Sequence, residues 1–458
     1  MSGAAPATRR LTAELADWAL AASFETLSPN IRTEAARAFL NWVGCALGGS
    51  GEAVVAAAER AALMTGGTGT ATVLGRGRRT DVVSAAFLNC LSSSALAYDD
   101  THLATVTHPT GPVAAPLLAE AESRAVSGRD LLTALAVGIE IQCRLSNALL
   151  LPPAQANVAL YITGVTGPVG GAVAMGRILG FDARRMRWAI GHAATQGAGF
   201  RATHGAMSGL AVPALGARAG MFAAHLAAAG VDCREDVIEA PKGFLDIFAP
   251  GSDPAHAVDG LGSRWELSAN TYKPYPCGIV VQPAIDACLD VAAQMRPSDR
   301  VESATLTVHP LTMVLADRPQ PRDIFEAQVS LQHWAACVLL RGAAGIAEVR
   351  QEVIGDPGIA ALRGRIAGRA DNSLARDQAR AEVRLTDGRR LTASVVHARG
   401  SIARPMTDDE LDAKFLAQAT TVLDAGAAGS LLAVLRGLAE EGDAGAAVMG
   451  AMGEGGAP

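Results

Sequence analysis

The stretch "TGPVGGAVAMGRILG" covers residues 166–180 and carries five glycines among Ala, Val, Met, Ile and Leu. Its apolar residues recur at helical spacing and run nearly all the way round. A helix of that kind is buried inside a large helical domain rather than laid on its surface. Its small side chains let neighbouring backbones approach closely. The same grammar extends outward on both sides. "RDLLTALAVGIEIQCRLSNALL" (129–150), "DARRMRWAIGHAATQGAG" (182–199) and "PALGARAGMFAAHLAAAG" (213–230) continue the bundle. "SPNIRTEAARAFLNWVGCALGG" (28–49) opens on Ser-Pro and stops on Gly-Gly, as a helix with both ends marked does.

The texture changes near Trp265. "SATLTVHP" (303–310) alternates apolar and polar residues like a half-buried strand, and "ARAEVRLTDGRRLTASVV" (379–396) reads as a hairpin around Asp387-Gly388. Helical segments lie between them. The expected fold is mainly α, a large all-α domain with a smaller α+β lid domain. The first part of the helical domain covers 1–266, the lid 267–403, and the C-terminal part of the helical domain 404–458. In the last part, Met406–Thr407 precede "DDELDAKFLAQA", and Asp408 and Asp409 favour a helix start there. The tail from Glu440 onward reads as frayed.

With 458 residues, half of them hydrophobic, the chain can bury a sizeable core. The net charge of −6, with no basic tract, speaks against a nucleic-acid or anionic-membrane partner. Glu14, Asp17 and Glu25 break up the first apolar residues, so no signal peptide is expected, and no run reaches the apolar length of a membrane span. A cytoplasmic protein is the expectation. The seven cysteines are scattered without C-x-x-C spacing, which points to reduced structural thiols.

Chemistry concentrates in "LAYDDTHLATVTHPTGPVAAPLLAEAE" (96–122). Asp99, Asp100, Thr101, His102, Thr107 and His108 sit between two apolar segments, on what reads as a loop joining buried helices. Charge placed there needs compensating partners. Two carboxylates and a histidine can orient a substrate or move a proton, and the same residues also serve as helix caps and loop ligands. No H-x-x-x-H or H-x-H spacing supports a metal, and none is expected. In "ANTYKPYPCGIVVQPAIDACLD" (269–290), prolines stiffen the chain around Lys273. A desolvated lysine there could act as an acid or base, and an isolated lysine in a linker is the plainer alternative. Tyr161 and Thr163 open the glycine-rich helix, whose start suits a carboxylate. Arg201 and His204, in "GFRATHGAMSG" (199–209), could clamp one.

Taken together and in order, "AYDDTHLATVTHPTGPV", "TGVTGPVGGAVAMGRILGFD", "KPYPCGIVVQPAIDA", "FEAQVSLQHWAACVLLRG" and "VRLTDGRRL" with "RGSIARPMTDDELDAKF" resemble the MmgE/PrpD family, from about Leu11 to about Leu416. That family includes 2-methylcitrate dehydratases, cis-aconitate decarboxylases and iminodisuccinate epimerases. The resemblance implies a homodimer, a cleft site, no organic cofactor and a small carboxylate substrate. It also implies a site built on Asp99, Asp100, Thr101, His108 and Lys273. Dehydratase- and decarboxylase-like members usually carry a histidine where Tyr161 stands, and often a lysine near Gly209-Leu210. These departures shift the expectation toward epimerisation of a small di- or tricarboxylate. Lys273, neutral at the moment of reaction, would work on one face and Tyr161 on the other. His108, Asp100 and the carboxylate ligands Asp99, Thr101, Thr163, Arg201 and His204 would complete the site. A hydro-lyase or decarboxylase is the first alternative, and a non-catalytic ligand-binding homologue the second.

Overall fold

The computed structural model describes residues 9–67, 69–155 and 157–453. Its N-terminal part is a succession of helices: α1 Leu11–Ala21, α2 Pro29–Gly49, α3 Ala53–Leu63, α4 Val82–Ser94, α5 Thr110–Ala121, α6 Gly128–Leu150, α7 Ile162–Ile178, α8 Ala183–Ala194 and α9 Met207–Ala228. A small antiparallel pair, β1 Ala71–Val73 and β2 Arg78–Thr80, interrupts them. The Ser28 hydroxyl caps α2 by accepting from the Ile31 N–H at 3.4 Å, and the helix runs to Gly49 as its sequence marks imply.

The glycine-rich stretch forms most of α7 and ends just past it, and α7 packs on α5, α6, α8 and α9. Its glycines are demanded by distance. A Cβ on Gly170 would lie 2.7 Å from the Gly138 carbonyl oxygen of α6, and a Cβ on Gly220 of α9 would lie 2.6 Å from the Pro168 carbonyl oxygen. Only backbones without side chains cross this closely.

The change of texture near Trp265 corresponds to a change of architecture. A separate apolar core gathers residues from Tyr275 to Ala398. It is built on β5 Val301–Val308, β6 Ile366–Ala370, β7 Ala379–Leu385 and β8 Arg390–Val395 in the spatial order β6-β5-β7-β8. β5 runs parallel to β6 and antiparallel to β7, and β7 and β8 form the hairpin turning at Asp387-Gly388. Alternate residues of β7, from Ala379 to Leu385, point inward. The helices Gln282–Ala292 and Leu331–Arg341 cover this lobe.

The chain then returns to the helical body. The helix Asp408–Ala419 packs on α2, and Thr407 and Glu410 form a capping box at its start. The tail is more ordered than its composition suggests. Residues Ala444–Met452 form a helix with Ala444, Gly445, Val448 and Met452 buried, because its small face seats against Ala121 and the preceding helix. Residues 454–458 of the expected frayed tail, and residues 1–8, lie outside the described residues.

Two further expectations change. By length and composition α9 is apolar enough to cross a membrane, which the sequence reading did not anticipate. Its apolarity serves packing, since α9 lies against α4, α5, α7 and α8. The segment around Asp100 is also more than a loop. Asp100–His102 forms a short strand, β3, antiparallel to β4, Asn270–Tyr272, with Asp100 opposite Tyr272 and His102 opposite Asn270. All seven cysteines are free.

Candidate functional site

The β3–β4 ribbon sets the site. Extending its antiparallel register by one step brings Asp99 opposite Lys273, and their side chains meet there. The Lys273 ammonium donates to Asp99 Oδ1 at 2.6 Å and to the Ala97 carbonyl oxygen at 3.2 Å. Ala97 offers that oxygen from a left-handed backbone, φ 50°, which costs a residue with a Cβ on the order of 1 kcal/mol. Lys273 is 1% exposed. Lys273 is thus paired with Asp99 across the ribbon.

Asp99 Oδ2 lies 3.3 Å from His108 Nδ1. The same Nδ1 is 2.9 Å from the Asp100 carbonyl oxygen and 3.2 Å from Thr101 Oγ1. A carbonyl and a carboxylate only accept, so Nδ1 carries the proton and Nε2 keeps its lone pair. The Thr163 hydroxyl accepts from the His108 backbone N–H at 2.9 Å and holds the residue at the start of α5. Burial pushes the His108 imidazole below its ordinary range, outweighing the nearby Asp99, so the ring is neutral at neutral pH. Burial also opposes the Asp99 charge, but His108 and Lys273, with Lys414 further off, hold its carboxyl below the usual carboxylate range. With the ring neutral, the lysines carry that effect.

Asp99, His108 and Lys273 face a cavity of about 100 Å³ between the helical body and the α+β lobe. Tyr161, Arg201 and His204 line it too. The Tyr161 and His204 rings meet edge-on at 4.9 Å, and Tyr161 stands 6.2 Å from His108. Burial lifts the Tyr161 phenol far above its usual range, leaving a neutral hydroxyl donor. Burial, with Arg201, His108 and Arg318, pushes His204 down to about 4. Arg201 Nε donates to the Leu160 carbonyl oxygen at 3.1 Å, and no carboxylate pairs with its guanidinium among the described residues. The starts of α7 and α9 lie at this cavity, through Tyr161 and Ala206, and neither is capped by a side chain. Uncapped helix starts present free N–H groups and positive potential, which suit an anion.

Three of the expected residues do not face the cavity. Asp100, expected among the catalytic groups, is buried behind it. It accepts from Asn270 Nδ2 at 2.5 Å and from the Thr110 hydroxyl, and burial lifts its carboxyl to about 6. Thr101 and Thr163 act through His108. His102, part of the same cluster, turns away to Thr105 at 2.8 Å and Glu266 at 3.2 Å. No group of three or more metal-ligating side chains occurs among the described residues.

Sequence reasoning missed Lys414, a buried residue of the helix Asp408–Ala419. Its ammonium donates to the Lys273 carbonyl oxygen at 2.9 Å, the Tyr98 carbonyl oxygen at 2.8 Å and Asn41 Oδ1 at 2.8 Å. Burial, with Lys273 close by, lowers it to about 8. The available signal was position: Lys414 sits on the buried stripe of Leu411, Phe415 and Ala419, where a solvated lysine does not belong. The lobe's apolar wall of Ile279, Val280, Leu315, Phe325 and Val329 was missed as well.

The fold and site together define a helical protein whose α+β lobe closes a small cavity over the linked side chains of Asp99, His108 and Lys273. Comparison places it among known proteins. The MmgE/PrpD N-terminal domain matches residues 13–257 and the MmgE/PrpD C-terminal domain residues 275–438. The chain belongs to the MmgE/PrpD family. Three similar proteins are named cis-aconitate decarboxylase. The one from Aspergillus terreus (strain NIH 2624 / FGSC A1156) is 28% identical over 291 residues, covering 60% of this chain and 59% of its own length. The Homo sapiens protein is 27% identical over 374 residues, 77% of this chain and 76% of its own. The Mus musculus protein is 26% identical over 436 residues, 90% and 87% respectively. The match thus spans less than two thirds of the Aspergillus relative.

Proposed function

We propose that the protein is a lyase of the decarboxylase or dehydratase type, acting at a carbon next to the carboxylate of a small substrate. The observation that carries this reading is the His108 tautomer: Nδ1 is engaged and Nε2 is left as a neutral base at the cavity. A carbon beside a carboxylate is barely acidic, so the doubly charged intermediate formed by its deprotonation needs cationic and hydrogen-bonding groups already in place. Arg201 and the uncapped starts of α7 and α9 hold the carboxylate. His108 Nε2 takes or returns the proton. The Lys273 ammonium, steadied by Asp99, protonates the leaving group or the product carbon. The relatives named cis-aconitate decarboxylase support lyase chemistry.

Epimerisation is the second reading. Tyr161 stands 6.2 Å from His108, so two proton carriers line one cavity, and Gly209 and Leu210 stand where a lysine was looked for. The test is incubation with cis-aconitate, 2-methylcitrate and small chiral dicarboxylates in deuterated water, followed by NMR. Loss of carbon dioxide or water with alkene formation supports the lyase. Deuterium exchange with inversion and no elimination supports the epimerase. Binding without either leaves a ligand-binding homologue. The reading includes a cytoplasmic homodimer. Leu215 and Phe222, half exposed on one face of α9, suit such an interface, and sedimentation velocity tests it.

A further inference from the structure

We propose that Arg318, on the α+β lobe, is a specificity-determining residue that joins Arg201 in gripping a carboxylate of the substrate. This rests on the reading above in which Arg201 holds that carboxylate. Arg318 lies two residues past the helix Pro310–Ala316. Its N–H donates to Gln332 Oε1 at 3.2 Å, and its carbonyl oxygen accepts from the Ser330 hydroxyl at 2.5 Å. Ser330 caps the helix Leu331–Arg341, so the main chain at Arg318 is pinned to a core helix of the lobe.

The side chain, in contrast, is left free. Among the described residues its guanidinium has no hydrogen bond and no carboxylate partner, because both acids nearby are engaged elsewhere. Asp317 Oδ1 accepts from Gln332 Nε2 at 2.6 Å. Glu326 is taken by Arg322, whose Nε lies 3.1 Å from each of its carboxylate oxygens. A half-buried guanidinium without a partner has lost part of its water and gained nothing in return, so an anion is favoured beside it.

Its seat says where that anion binds. Arg318 reaches the helical body at Gly205, which lines the cavity. A Cβ on Gly205 would lie 2.7 Å from Arg318 Nη1, and the φ of 87° there also favours glycine. Any side chain at 205 would push the guanidinium off its seat. Arg201 lies four residues earlier in the same turn and lines the same cavity. His204, between them in the chain, is near both charges and is neutral, so it compensates neither. Two guanidiniums thus come to one corner of the cavity without a carboxylate. They repel each other there, and a bound carboxylate offsets that repulsion. The lobe also lines the cavity with the uncapped turn at Gly278–Val280, whose Ile279 and Val280 N–H groups are neutral donors. Arg318 adds a charge. Since Arg201 belongs to the body and Arg318 to the lobe, the carboxylate is gripped from both parts of the structure.

The experiment titrates two unreactive probes, glutarate and tricarballylate, calorimetrically into the wild type, Arg318→Gln, Arg318→Lys, Arg201→Gln and the double Gln variant. Arg318→Gln is expected to bind the tighter probe about tenfold to hundredfold more weakly. Its melting temperature without ligand is kept, since the guanidinium holds nothing in the free protein. Arg318→Lys recovers part of the loss, because it restores the charge without the planar fork. The double variant departs from the sum of the two separate losses, as neighbours that share a partner do. Wild-type affinity in Arg318→Gln overturns the proposal. Losses that simply add give Arg318 a different group of the ligand and overturn the shared grip. Failure of both probes to bind the wild type overturns the inference as well. The reaction is judged apart from binding, by NMR of the wild type with the substrates named above. Weakened binding in Arg318→Gln with no turnover of any of them keeps Arg318 as a carboxylate ligand and overturns the lyase. Turnover with KM unchanged in Arg318→Gln keeps the lyase and overturns Arg318.

Discussion

Asp99 and Lys273 stand 174 positions apart in sequence and meet at 2.6 Å, because the β3–β4 register carries each to the same end of one ribbon. Asp99 comes from the helical body and Lys273 from the segment entering the α+β lobe. The ion pair is thus also the seam between the two parts of the structure. A buried pair of this kind is expensive to break by halves, since the partner left behind is a charge without compensation.

Lys273→Met should therefore lower stability by about 3–5 kcal/mol and reduce turnover by about 10²–10⁴-fold. The double variant Asp99→Asn with Lys273→Met should regain most of the stability and none of the activity. Chemical denaturation and product formation by NMR measure the two separately. A double variant as unstable as the single one sinks the coupling.

Burial lowers the His108 imidazole from its ordinary value, and the proposed base works only unprotonated. Activity is then full at neutral pH and falls as pH drops through a value under 6.5. The acid limb should vanish in His108→Asn along with activity. A limb centred above 6.5 would assign the base to another group.

Asp100 is expected to matter for folding more than for chemistry. Its carboxyl is lifted to about 6 by burial, so protonation favours the folded state. That contribution is full below pH about 4 and is lost as pH rises through about 6. Asp100→Asn should abolish this slope while keeping turnover within about tenfold. Stability measured by urea unfolding from pH 4 to 7 tests the first part. Loss of all activity in a folded variant would return Asp100 to the catalytic set.

Lys414 fastens the Lys273 and Tyr98 carbonyl oxygens from behind. Lys414→Met should lower kcat by up to about 10²-fold through misplacement of the pair, with KM little changed. The variant should also lose any rate change the wild type shows as pH passes through about 8, where Lys414 gives up its proton. An unaltered kcat would reduce Lys414 to a packing residue.

Gly170→Ala puts a methyl 2.7 Å from the Gly138 carbonyl oxygen and should cost about 1–3 kcal/mol, read as a lower melting temperature. A neutral substitution would mean that the α6–α7 crossing can open.

Much of the fold is legible in the chain. The glycine-rich helix, the Ser28 cap and the Asp387-Gly388 hairpin are local signals, written within a few residues of where they act. So is the gathering of acids, threonines and histidines at 99–108, which does reach the cavity through Asp99 and His108. The assignment of roles within that gathering was not legible. Period-two alternation in β3 turns Asp99 to the cavity and Asp100 behind it, and the strand exists only because β4 pairs with it. Lys414 was overlooked for a related reason: its partners lie in three other segments. Yet the chain has three lysines in all, and two of them are buried at this site.

The sequence by itself determined a helical body of closely crossing Gly- and Ala-rich helices, an α+β lobe after Trp265, and the residues from which an acid–base site would be drawn. Those follow from periodicity and composition, which are properties of short windows. The tertiary structure alone decided which carboxylate meets Lys273, which nitrogen of His108 is left open, and which cations remain for a ligand. Those depend on contacts between residues far apart in the chain, in a buried space where every charge must find its partner.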